Sequence, residues 1–186
     1  GAGATLGKLG GMARAMKGGV GSAAIRLPGG VIVAALVVAN PLGDVIDPAT
    51  GRVVAGVRTA DGSGFADART IIRTGAPRGT RGGNSTIGVV ATSATLTKTQ
   101  AAYLAQLADD GYARAIWPIH TRVDGDVVFA VATGAVPGEP DMLTLGALAA
   151  APAGGARALR APVARGNRSR YPTTGARATT YVERNR

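Results

Sequence analysis

Hydrophobic positions along the chain change period several times, and the changes mark its elements. From Ser22 to Leu27 the pattern alternates, Pro28-Gly29-Gly30 interrupts it, and Val31 to Ala39 runs apolar without a break. This predicts a hairpin feeding a fully buried strand. Asn40-Pro41 ends that strand, because proline lacks a donor and holds the residue before it extended. Arg52 to Arg58 reads as a further short strand and residues 59–83 as mostly loop. An apolar, β-branched segment follows Ser85. After it, Thr97-Lys98-Thr99-Gln100 has capping-box spacing, and Ala101, Leu104, Leu107 and Ala108 recur at helical intervals. Asp109-Asp110-Gly111 is expected to stop this helix. Asp124-Gly125-Asp126 reads as a hairpin turn ahead of a strand from Val127 to Thr133.

Composition narrows the class. The chain has 186 residues, 46% of them hydrophobic, with 29 glycines and no cysteine. That is room for one domain with a sizeable core and many turns. Disulfides, thiolate zinc sites and a cysteine nucleophile are excluded. The longest apolar run, Val31 to Ala39, is too short to span a bilayer, so no membrane partner is expected. A cytoplasmic location is the corresponding expectation. Net charge is +10, but residues 151–186 hold eight arginines against Glu183 alone. Two regions are therefore expected: a nearly balanced body over 1–150 and an Arg/Pro/Gly-rich tail over 151–186. Pro152, Pro162 and Pro172 prevent a continuous helix in the tail, and dense like charge with few large apolar side chains predicts disorder there. Its arginines would attract phosphate. With Tyr171 and Tyr181 as its only aromatics and no RNA-binding motif, nucleic acid is not an expected partner.

Cofactor signals fail on inspection. Gly1 to Leu9 has Ala2 and Leu9 where a phosphate loop needs glycine and Ser/Thr. Gly19-Val20-Gly21-Ser22 has no strand before it. Asp124, Asp126 and the lone His120 lack further ligands at metal-site spacing. Neither cofactor nor metal is expected.

The chemistry concentrates at one junction. A Gly/Arg-rich loop, Gly75 to Gly83, runs into Asn84-Ser85 and then the apolar strand. A pliable loop, a scissile peptide and a hydroxyl at a strand start are the layout of a self-cleaving N-terminal nucleophile. Cleavage between Asn84 and Ser85 would give Ser85 both a hydroxyl and a free α-amine to act as its base. The alternative is a polar turn before a core strand. Asn40 is likewise either a turn former or a positioned donor. Asp124 and Asp126 either form a turn or hold an ammonium and tune its pKa.

Together, Asn84-Ser85-Thr86-Ile87 with its capped helix, Trp117-Pro118-Ile119-His120-Thr121, and Asp124-Gly125-Asp126-Val127-Val128-Phe129-Ala130 resemble the L-aminopeptidase/D-esterase family. That family includes β-aminopeptidases and nylon-oligomer hydrolases. The resemblance covers about residues 1–148, with weaker matches around Lys8 and Asn40. It implies an α/β fold, a four-layer αββα sandwich shared with ornithine acetyltransferases, in a precursor that cleaves itself into two subunits. It makes Ser85 the nucleophile, Asn84 the residue left of the cut and Asn40 the oxyanion donor. Lys8, Asp124 and Asp126 become the charged cluster around the nucleophile. The family's N-terminal portion has no counterpart here, so the sandwich is expected to be incomplete. The implied activity is hydrolysis of a small peptide or amide, by a homo-oligomer of processed subunits. An acyltransferase of the ornithine acetyltransferase type, or an inactive truncated relic, is the alternative.

Overall fold

The computed structural model describes residues 3–75, 83–146 and 149. The tail over 151–186, and the disorder expected of it, lie outside the described residues.

The chain begins with a small antiparallel pair, β1 (Thr5–Leu6) and β2 (Met16–Lys17), joined through a 3-10 turn at Met12–Arg14. The expected hairpin follows as β3 (Gly19–Arg26) and β4 (Ile32–Ala39), paired antiparallel from Gly19 opposite Ala39 to Arg26 opposite Ile32. Strand β4 is not the fully buried strand expected, since Leu36 on its other face is exposed. Next come β5 (Asp44–Ile46) and β6 (Val53–Ala55), the latter shorter than the Arg52–Arg58 expectation. The stretch expected to be loop contains a short helix, α1 (Ala68–Arg73). Its amide at Ala68 donates to the buried Asp44 carboxylate, 2.7 Å away, and the Asp67 side chain accepts from Arg69 N. Helix periodicity cannot show over six residues, so α1 depends on these two carboxylates.

Strand β7 (Ile87–Ala94) leads to α2 (Lys98–Ala115), whose Thr97 and Gln100 form the reciprocal capping box. The helix does not stop at Asp109-Asp110-Gly111. Leu104, Ala108, Gly111, Tyr112 and Ala115 fall on one buried stripe, and burying residues such as Leu and Tyr outweighs the roughly 1 kcal/mol that a helical glycine costs. After β8 (Ile116–Trp117) the chain reaches β9 (Val127–Val136). The main sheet has the order β3-β4-β7-β9, and a second, three-stranded sheet has the order β6-β5-β8.

Strands β7 and β9 are parallel, with Ile87 opposite Val127 and Thr92 opposite Ala132. Parallel neighbours need a crossover, and α2 supplies it. Asp124-Gly125-Asp126 is therefore not a hairpin turn. It is the point where the returning chain joins the sheet, marked by a parallel bridge between Asn84 and Asp124.

One face of the main sheet buries Val33, Ala35, Val37, Val90 and Ala94 in a core shared with α2. Gly88 lies on this face because a Cβ there would sit 2.1 Å from the Tyr112 hydroxyl. The opposite face is apolar and open among the described residues. Leu36, Val89 and Phe129 stand in register across three strands, and Phe129 is 56% exposed. The main sheet thus carries one helical layer on one face and a second apolar face of the kind that a sandwich buries.

Candidate active site

Topology brings the candidate residues to one end of the main sheet. Antiparallel pairing sets the end of β4 beside the start of β7, and parallel pairing sets the start of β9 beside the same point. Asn40, Ser85 and Asp124-Gly125-Asp126 consequently converge. Lys8 joins them through the loop after β1, where Gly7 N and Lys8 N donate to the carbonyls of Gly43 and Leu42.

On one side of the Asn84–Ser85 peptide, the Lys8 ammonium is buried and directs its protons at three acceptors. These are Asn40 O at 3.0 Å, Asn40 Oδ1 at 3.1 Å and Gly83 O at 2.9 Å. Burial pushes the Lys8 pKa down to about 8, against the attraction of Asp124, which raises it. A cation so close to neutrality can release or accept a proton near physiological pH. Asn40 Nδ2 donates to Gly83 O at 2.7 Å, while its Oδ1 accepts from Thr5 N at 2.8 Å. Both ends of the amide are thereby oriented.

On the other side, both carboxylates accept backbone amides. Asp124 Oδ1 takes Leu42 N at 3.0 Å, and its Oδ2 takes the Thr121 amide and hydroxyl. Asp126 is almost wholly buried; its Oδ1 accepts Thr86 N at 2.6 Å and its Oδ2 accepts His120 N at 3.1 Å. The His120 ring lies between two carboxylates, with Nδ1 3.3 Å from Asp126 Oδ2 and Nε2 3.5 Å from Asp109 Oδ2. Burial raises the Asp109 pKa above the usual carboxylate range, opposed by His120.

Between the two sides sits Ser85, half-buried. Its amide donates to Asn40 O at 3.0 Å and its hydroxyl to the carbonyl of Asn84 at 2.6 Å. The same carbonyl accepts Gly125 N at 2.8 Å. Thr5, Lys8, Asn40, Gly83, Ser85 and Ile87 line a cleft of about 650 Å³ that opens beside the apolar sheet face.

All six sequence-derived site residues therefore meet around one peptide bond. Thr5, Thr86, Asp109, His120 and Gly125 also belong to the arrangement and were not singled out for it. Thr86 and Gly125 adjoin named residues in the sequence, whereas Thr5, Asp109 and His120 carry no local signal for this site. Among the described residues no group of three or more His, Cys, Asp or Glu could hold a metal ion, and no helix is long and apolar enough to cross a membrane.

The architecture corresponds to that of N-terminal-nucleophile hydrolases. A solved L-aminopeptidase D-Ala-esterase/amidase from Ochrobactrum anthropi, described as a variant of that fold, superposes with a TM-score of 0.51 over 80% of this chain and 41% of its own, at 21% identity. The family model of peptidase family S58 matches residues 1–169, and the chain belongs to that family. An uncharacterised aminopeptidase of Mycobacterium leprae is 42% identical over 138 residues, 69% of this chain and 36% of the relative. A 6-aminohexanoate-oligomer endohydrolase of Paenarthrobacter ureafaciens is 34% identical over 116 residues, 60% of this chain and 32% of the relative. The chain thus spans about a third of the length of these curated relatives.

Proposed function

We propose that this chain carries the nucleophile of an amide-bond hydrolase activated by self-cleavage between Asn84 and Ser85. The observation that carries the reading is the Ser85 hydroxyl, 2.6 Å from the carbonyl oxygen of the peptide it would attack, just ahead of a strand that buries one face. After cleavage Ser85 keeps its hydroxyl and gains an α-amine, which takes the hydroxyl proton as a substrate amide is attacked. Lys8, Asp124 and Asp126 set the charge around that amine. Asn40, released from Gly83 when the cut strand end withdraws, donates to the oxyanion formed on the substrate. Membership of a peptidase family, and relatives named aminopeptidase and 6-aminohexanoate-oligomer endohydrolase, support a short peptide or oligoamide as substrate. The open apolar sheet face supports assembly with further protein in the working enzyme.

Intact-mass analysis and N-terminal sequencing test this directly. The expected products are residues 1–84 and 85–186, with Ser85 as a new N-terminus, whereas Ser85→Ala stays whole. A cut at another bond, or a cleaved Ser85→Ala chain, overturns the assignment.

A further inference from the structure

We propose that the backbone amide of Gly125 is the oxyanion donor of the self-cleavage step, distinct from the Asn40 side chain that serves turnover. The inference rests on the self-cleavage reading above. In the uncut chain, Asn40 Nδ2 is engaged by the carbonyl of Gly83, one residue before the one that reacts. The carbonyl that reacts, Asn84, is held by Gly125 N at 2.8 Å. As the Ser85 hydroxyl oxygen bonds to the Asn84 carbon, negative charge collects on that carbonyl oxygen, where the Gly125 N–H already points. A preformed donor at such a position needs no rearrangement as the charge develops.

A second observation concerns the residue type. The backbone of Gly125 does not lie in the left-handed region that favours glycine, so conformation does not demand glycine there. Proximity does. A Cβ at position 125 would lie 2.8 Å from Ser85 Oγ and 3.8 Å from Asn84 O. Any side chain would press on the hydroxyl that must turn toward the carbonyl carbon. The next ladder amide makes no such demand: Val127 N donates to Thr86 O at 3.0 Å and carries a branched side chain.

The chemistry balances with water as the co-reactant. The Ser85 Oγ–C bond forms, the Asn84 C–N bond breaks, and the hydroxyl proton passes to the departing Ser85 nitrogen, leaving an ester between Asn84 and Ser85. Water then hydrolyses the ester to the Asn84 carboxylate and the free Ser85 hydroxyl.

The test replaces the amide at Gly125 by an ester in the full chain, through semisynthesis with glycolic acid. This removes the N–H and adds no atoms to the side chain. Cleavage is followed by intact mass after refolding, and near-ultraviolet circular dichroism reports the fold. The same replacement at Val127 removes the next rung of the ladder for comparison. The expected result is cleavage slowed about a hundredfold to a thousandfold at position 125, with near-wild-type cleavage at position 127. Gly125→Ala should also cleave slowly while keeping its fold. Equal slowing at both positions, or wild-type cleavage of the Gly125 ester, overturns the proposal. A wild-type chain that never cleaves overturns the self-cleavage reading itself, and this inference with it.

Discussion

The two sides of the Asn84–Ser85 peptide are built from different materials. Lys8 and Asn40 reach the Gly83 carbonyl with side-chain donors on flexible stems. Across the bond, Asp124, Gly125 and Asp126 lie in the sheet itself, and the contacts there run between carboxylates or carbonyls and backbone amides. The contrast separates what can be released from what stays. On the proposed cleavage, departure of residue 83 would free the Lys8 and Asn40 donors to face the cleft. The pairing of β7 with β9 continues from Thr86 onward and holds the carboxylates in place whether or not the chain is cut. On that proposal the first side is suited to meet substrate, and the second to hold Ser85 still.

Asn40→Ala should break the contrast most sharply. In the processed protein, turnover of a short oligoamide should fall about a hundredfold to a thousandfold, the usual cost of one oxyanion donor. Its position at a strand end leaves no core cavity, but Thr5 N and the buried Lys8 ammonium lose an acceptor, so the urea midpoint should fall by an amount worth about 1–3 kcal/mol. Unchanged turnover would return Asn40 to its role as a turn former.

Lys8→Met should act next most strongly. It removes a charged donor from three acceptors, and hydrogen bonds to charged groups are worth about 1.5–3 kcal/mol. Self-cleavage, measured by intact mass, should slow by up to about a hundredfold. Loss of the cation should also move the acidic limb of the pH–rate profile upward, because Lys8 lowers the pKa of a neighbouring amine. A stability signature accompanies this. Between about 8 and the unfolded value of 10.5, the unfolded chain binds a proton that folded Lys8 has lost. Wild-type stability should therefore rise with pH through that window, and Lys8→Met should flatten the rise in denaturation midpoints.

Asp126→Asn tests the scaffold side. Asp126 accepts amides of Thr86 and His120 on separate oxygens, and asparagine can replace only one of these acceptors. One buried amide loses its partner, at a cost of about 1–3 kcal/mol, readable as a lowered urea midpoint. The acidic limb should also move downward, since an anion that favours the ammonium is gone.

Asp124→Asn should give the smallest change in the pH profile, although the amide of Leu42 or Thr121 loses its acceptor and the urea midpoint falls as for Asp126→Asn. Asp124 raises the Lys8 pKa against the larger effect of burial. Its neutralisation lets that pKa drop below about 8 and moves the acidic limb to lower pH, with little loss of cleavage. A profile unmoved by Lys8→Met, Asp126→Asn and Asp124→Asn would show that the cluster does not tune the amine.

Local signals fixed in neighbouring residues were readable from the chain alone. The β3–β4 hairpin, the capped start of α2 and the strand after Ser85 depend on spacing within a few residues, and the sequence determined each. The candidate site residues are marked by several motifs in order, Asn84-Ser85 above all. Tertiary structure decided the rest. Lys8 and Gly83 are 75 positions apart, and Leu42 and Asp124 are 82 apart, so no local pattern records that they meet. Asp-Gly-Asp has the composition of a hairpin turn, and only the parallel pairing of β7 with β9 makes it the wall of a site. Gly111 looks like a helix stop until Leu104, Tyr112 and Ala115 find a core to bury them. Gly125 reads as a turn glycine, yet its reason for being glycine is a serine hydroxyl 40 positions earlier in the chain, which only the folded sheet brings beside it.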